Sequence, residues 1–173
     1  AKTLNTMANS MFGKAKIGLE YLFKRSGPMS MAPSQLGAFS KSRPDLETPD
    51  LEYHVQPLSL EAFGQPLHEF PAITASVCNL RPESRGTVSI SSKNPNDAPT
   101  ISPNYLSTEG DKQTAVSAIR QARRIMSHGP MSKYKPQEIK PGNYSDAAED
   151  LIKAAGDIGT TIFHPVGTVR MGA

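Results

Sequence analysis

Proline and glycine cut this chain into short pieces. Fifteen prolines and thirteen glycines are spread over 173 residues, which predicts many turns and irregular connections rather than a helical bundle. Between the breaks, three segments keep a helical period. In residues 11–24, Ala15, Leu19, Leu22 and Phe23 recur at three- and four-residue spacing, and Ser26-Gly27-Pro28 stops the run. Residues 109–127 carry a continuous apolar stripe of Ala115, Ala118, Ile119, Ala122, Ile125 and Met126. Thr108 and Asp111 have nearly the spacing of a capping box there, and Gly129-Pro130 closes the helix. A third helix is expected from a Ser145 cap through Ala155, with Ala148, Leu151, Ile152 and Ala155 inward and Gly156 past its end.

The strands read differently. Leu51, Tyr53 and Val55 alternate with Glu52, His54 and Gln56, the pattern of a half-buried strand with its polar side facing away. Residues 70–80, with Ala72 to Cys78 small and β-compatible on both faces, predict a strand covered on both sides. Residues 87–91 alternate cleanly after a turn at 81–86, so the two are expected to pair as an antiparallel hairpin. Asn94 to Pro99 is a loop by its punctuation. Helices and strands do not alternate strictly, which predicts an α+β fold with an antiparallel sheet.

Composition removes several function classes. Net charge is +3, and the two basic groups, around Lys14 to Arg25 and Arg120 to Arg124, read as solvated helix faces. No nucleic-acid-reading motif accompanies them. No apolar run approaches the ~20 residues that span a bilayer, and the first residues lack the apolar core of a signal peptide. The single cysteine, Cys78, excludes an internal disulfide framework and fits a reducing, cytoplasmic compartment. Its apolar surroundings predict an inert buried thiol rather than a nucleophile. Dinucleotide-binding glycine fingerprint, phosphate-binding loop, serine nucleophile elbow and metal-ligand spacing are all missing from the sequence.

One stretch stands apart. His164 lies between an apolar run, Thr161-Ile162-Phe163, and a turn, Pro165-Val166-Gly167. Pro165 biases His164 toward extended backbone, and Gly167 permits positive φ and close approach by a flat ligand. Such a histidine can serve as a proton acceptor, yet on these residues alone a structural role is favoured, because histidine is often partly buried without function.

Three blocks in order change the weighing. Residues 161–172, from Thr161-Ile162-Phe163-His164-Pro165 to Met171-Gly172, resemble the active-site histidine motif of the glucose–methanol–choline (GMC) flavoprotein oxidoreductases. Leu80-Arg81-Pro82-Glu83-Ser84-Arg85-Gly86-Thr87-Val88 is similar to that family's hairpin motif. Pro103-Asn104-Tyr105-Leu106, with Asp111, Arg120, Arg123, Arg124 and Ile125, is similar to its next strand and helix. The resemblance extends from Gly18 to Gly172.

It implies that residues 1–173 are an incomplete substrate-binding domain, an antiparallel sheet of about six strands backed by helices. FAD-binding segments are then expected before residue 1 and after residue 173, and the chain alone is expected neither to hold FAD nor to oxidise alcohols. The implied chemistry is hydride transfer from an alcohol carbon to flavin N5, with His164 taking the hydroxyl proton. Ile162 is expected to shape the apolar wall, and Pro165 and Gly167 to lie near the flavin. His54 aligns with a histidine that lines the substrate cavity in choline-oxidising members. Gln35 aligns with the glutamate that pairs there with the quaternary ammonium, so an uncharged primary alcohol is expected instead of choline. The implied partners are that small alcohol and the FAD domain of the same polypeptide. Two alternatives stay open, a lyase that keeps the fold without redox chemistry and a stand-alone binding module.

Overall fold

Strand alternation at Leu51 and Tyr53 builds the first part of the core. A computed structural model describes residues 2–62, 64–142 and 144–172, which divide into two compact units, Ala1–Lys41 with Glu47–Cys78 and Ser42–Leu46 with Asn79–Ala173. In the first, strands β1 (Leu36–Ser40), β2 (Leu51–Gln56) and β3 (Thr74–Asn79) form one sheet in that order. β1 and β2 are antiparallel, with Leu36 opposite Val55 and Ser40 opposite Leu51. Leu51 is 0% and Tyr53 3% exposed, whereas Glu52, His54 and Gln56 on the other face are half-buried, as the period-two pattern predicts. Burying each large side chain contributes roughly 1.5–3 kcal/mol.

Helix α1 (Leu4–Ala8) is tied to this unit by one asparagine. Asn5 is fully buried, donates from Nδ2 to the carbonyls of Ser59 and His68 at 2.9 and 2.8 Å, and accepts the Ser59 amide at 2.8 Å. An amide side chain that satisfies a loop's backbone in both directions offsets the cost of its own burial. Helix α2 (Met11–Lys24) has the predicted bounds, capped by Ser10 and ended by Arg25 at φ 52°. Its predicted apolar face is largely open. Ile17 is the buried residue of the helix, while Leu19, Leu22 and Phe23 are 54%, 61% and 79% exposed.

The second unit holds the hairpin of β4 (Thr87–Ser89) and β5 (Thr100–Ser102), with Val88 opposite Ile101. Helices α3 (Glu109–Ser127), α4 (Gly129–Ser132) and α5 (Ala148–Ile158) follow. α3 and α5 pack together, and Val116 and Ala118 of α3 and Leu151 and Ala154 of α5 are each no more than 4% exposed. The predicted cap of α5 is displaced: Ala147 is the N-cap, and Ser145 accepts its amide at 3.1 Å. Two of the arginines expected to be solvated, Arg120 and Arg123, are paired. Arg120 meets Asp146 at 3.0 Å, and Arg123 meets Glu138 at 2.9 Å and Asp146 at 3.2 Å.

The α+β class with antiparallel pairing holds, with two corrections. Among the described residues five strands form a three-stranded and a two-stranded sheet, rather than one sheet of about six. The strand at 87–91 does not pair with that at 70–80; β4 takes β5 instead. The reason lies at Asp111. Its carboxylate does not reach back to complete a capping box, although Thr108 does accept the Asp111 amide at 3.2 Å. Instead Asp111, 4% exposed, accepts from Asn79 Nδ2 at 3.1 Å, from the Glu83 amide at 2.9 Å and from the Ser84 amide at 2.8 Å. The turn expected to close a hairpin is thereby bound to the start of α3. Gly86 completes the rearrangement, since a Cβ there would stand 2.2 Å from the Ser102 carbonyl.

Burial pushes the Asp111 carboxyl upward, but the hydrogen bonds from Ser84, Glu83 and Asn79 outweigh it and hold the group below the ordinary carboxylate range. A depressed native value means that the unfolded chain binds the proton more readily. The resulting stability is complete above the unfolded value of about 4 and is lost as pH falls through the folded value. Asp111→Ala is expected to lower unfolding free energy by about 2–3 kcal/mol in urea titrations, because it orphans donors on three residues. Asp111→Asn should remove part of the acid sensitivity below pH ~4; an unchanged acid limb would contradict the assignment.

Candidate active site

Strand register settles which sheet residues share a surface. Gly37 stands opposite His54 and Phe39 opposite Glu52, so by alternation Gly37 and Phe39 share a face with Glu52, His54 and Gln56. Of the two predicted substrate contacts of this unit, His54 lies within that register, and Gln35 immediately precedes β1, outside it. Gln35 is exposed and tied in only by its amide, which donates to the Val55 carbonyl at 3.0 Å. A glycine opposite His54 leaves no side chain there. The His54 Nε2 atom is buried with no hydrogen-bond partner among the described residues, and Glu52 Oε1 lies 3.5 Å from it, outside hydrogen-bond geometry.

The other predicted residues lie in the second unit, in the segment after α5. Gly159 caps the helix, donating its amide to the Ala155 carbonyl at 2.8 Å. Thr161 is half-buried; residues 162–172 are exposed. Phe163 donates its amide to Thr161 Oγ1 at 3.0 Å and has φ 64°, a region that bulky residues rarely occupy. His164 follows, exposed, with no hydrogen bond or ion pair among the described residues. Ile162 is 48% and Val166 92% exposed, so Ile162 walls no enclosed cavity within this segment. Gly167 has φ 84°, and a Cβ added there would find nothing within 4 Å. This open backbone and its exposed apolar flank fit the edge of a flat ring system. They do not make a cradle for a dinucleotide, which needs a glycine-rich turn at a helix start.

Residues that sequence reasoning missed belong to the scaffold. Ser59 Oγ is 3.0 Å from His68 Nδ1, and His68 Nε2 is 3.6 Å from Glu61. That order of serine, histidine and carboxylate suggests a hydrolytic set, but Ser59 is 6% exposed and its own amide is taken by Asn5. The arrangement locks a loop. Concavities of about 440 and 550 Å³ in the second unit are lined by Glu138, Ile139, Pro141, Gly142 and Tyr144, and by Ser42, Ser117, three α3 arginines, Ser127 and Asp146. Neither includes His164. No set of metal-ligating side chains and no helix long and apolar enough to cross a membrane occurs among the described residues.

A sequence model of the family described as GMC oxidoreductase matches residues 82–173, more than half of the chain. The chain belongs to the GMC oxidoreductase family. It is 35% identical over 167 residues to an alcohol dehydrogenase [acceptor] of Pseudomonas putida, covering 96% of this chain and 30% of that protein. It is 34% identical over 161 residues to an oxygen-dependent choline dehydrogenase of Chromohalobacter salexigens, covering 93% and 29%. The chain thus spans about 30% of the length of these relatives. Among solved structures, formate oxidase shares the fold with a TM-score of 0.81 at 21% identity, covering 95% of this chain and 33% of that one. Pyridoxine 4-oxidase from Mesorbium loti aligns at a TM-score of 0.64 and 25% identity, covering 82% and 28%.

One potential nucleophile is removed by its surroundings. Cys78 is buried in β3, and burial, then the nearby Glu52 carboxylate, pushes its thiol upward, which disfavours the reactive thiolate. Labelling by a disulfide reagent at mildly alkaline pH is expected to be slow in the folded chain and fast in urea. Equal rates would place the thiol at the surface.

Proposed function

We propose that this chain is the substrate-binding part of an FAD-dependent alcohol oxidoreductase, with His164 as the base that takes the alcohol's hydroxyl proton. Membership of the GMC family carries this reading, and the exposure of His164 between Phe163 and Pro165 supports it. FAD, when bound, supplies the acceptor for the hydride. The chain's own residues have the remaining tasks. An imidazole can accept a proton at one ring nitrogen and donate from the other, which suits it to proton transfer. His164 deprotonates the hydroxyl as the carbinol carbon loses its hydride, so negative charge does not accumulate on oxygen. Ile162 lends apolar surface beside it. Pro165 and Gly167 would be the residues next to the flavin, a proline because it keeps the backbone rigid and a glycine because it permits close contact. The relatives' names, alcohol dehydrogenase and choline dehydrogenase, bracket the substrate class.

Within that class the substrate is an uncharged primary alcohol. Gln35 offers a neutral amide where a quaternary ammonium needs a countercharge, and a buried cation without one is costly. Glu52 shares the sheet face of His54, but its carboxylate lies 3.5 Å from His54 Nε2, and His54 is the second substrate contact proposed here.

In the intact flavoprotein, His164→Ala is expected to lower kcat by ~10²–10⁴-fold with flavin content retained; unchanged turnover would remove His164 from the chemistry. A comparison of kcat/KM should favour neutral primary alcohols over choline. Preference for choline would show that some other group supplies the countercharge and that the reading of Gln35 is wrong.

A further inference from the structure

Thr161 is the last half-buried residue before the exposed run that carries His164. Its hydroxyl oxygen accepts the amide of Phe163 at 3.0 Å. That hydrogen bond closes a side-chain turn of the kind serine and threonine form with the residue two positions on. The turn coincides with a backbone conformation that phenylalanine would not choose, since φ at Phe163 is 64° and left-handed backbone crowds a large side chain. Phe163 is 71% exposed. On the other side of His164, Pro165 restricts the histidine to extended backbone. The imidazole is therefore carried by a residue constrained from both directions, once by a proline ring and once by the threonine hydroxyl.

We propose that Thr161 is a positioning residue for His164, and that its hydroxyl acts by holding Phe163 in the left-handed conformation. The inference rests on the proposed role of His164 as the base. It assigns Thr161 by acceptor chemistry rather than by shape, and this makes it separable from simple packing. Valine has nearly the outline of threonine but no acceptor. Serine and asparagine differ in outline but can each accept the same amide.

The test is a series in the intact flavoprotein: Thr161→Val, Thr161→Ser and Thr161→Asn, with His164→Ala as reference. Thr161→Val is expected to lower kcat by roughly 10- to 100-fold, the scale of a misdirected catalytic group, with KM and flavin content little changed. Thr161→Ser and Thr161→Asn should recover most of that loss. If valine is tolerated, or if all three replacements are equally impaired, the hydroxyl does not position His164 and the proposal fails. If His164→Ala itself is unimpaired, the reading of His164 as the base fails instead. A second measurement needs no flavin. In the chain itself, hydrogen exchange of the Phe163 amide should accelerate in Thr161→Val and not in Thr161→Ser, and unaltered exchange in the valine variant would overturn the proposal.

Discussion

The carboxylate of Asp111 ties the start of α3 to the end of β3 and the loop that follows it, about 30 residues earlier in the chain. It sits in the first turn of α3, where the helix dipole already favours a negative charge. From there it accepts from the side chain that ends β3 and from two successive amides of the following loop. Charge-assisted hydrogen bonds of this kind are the stronger class, and here they determine topology. With the loop held against α3, the strand after it is delivered to β5 instead of folding back on β3. Asn5 has a comparable place in the first unit, where a single side chain satisfies both a donor and acceptors of the loop beyond β2.

The two groups of candidate residues have different surroundings. His54 belongs to a sheet face whose opposite side is anchored by Leu51 and Tyr53, so the strand cannot slip without exposing that core, and Gln35 stands just before the neighbouring strand. His164 belongs to a run with few packed neighbours, and its constraint is local: a threonine turn before it and a proline after it. Such a segment suits a group that must meet a ligand from outside its own element. Ile162, Val166 and Val169 in the same run are exposed as well.

Much of the secondary structure was legible because its signals are local. The bounds of α2 and α3 follow from apolar spacing and from breakers at Ser26-Gly27-Pro28 and Gly129-Pro130. Alternation at Leu51, Tyr53 and Val55 identified the buried face of β2 and placed His54 opposite it. Strand partners were not legible, since a period of two states which face is buried but not which strand lies alongside. Nor could the Thr108–Asp111 spacing reveal that the carboxylate would turn away from its own cap. For the site, isolated residues favoured a structural His164, and three blocks in family order raised it to a candidate base. The left-handed Phe163 had no sequence signal at all, because that conformation is ordinarily read from glycine or asparagine.

The proposed removal of a proton by His164, coupled to loss of hydride from an alcohol, is tested most directly by the reductive half-reaction of the intact flavoprotein. Mixed anaerobically with a neutral primary alcohol, the enzyme should lose its oxidised-flavin absorbance, more slowly when the carbinol carbon carries deuterium, and far more slowly still in the His164→Ala variant. Bleaching at the same rate with and without the imidazole, or no bleaching by any such alcohol, would contradict it.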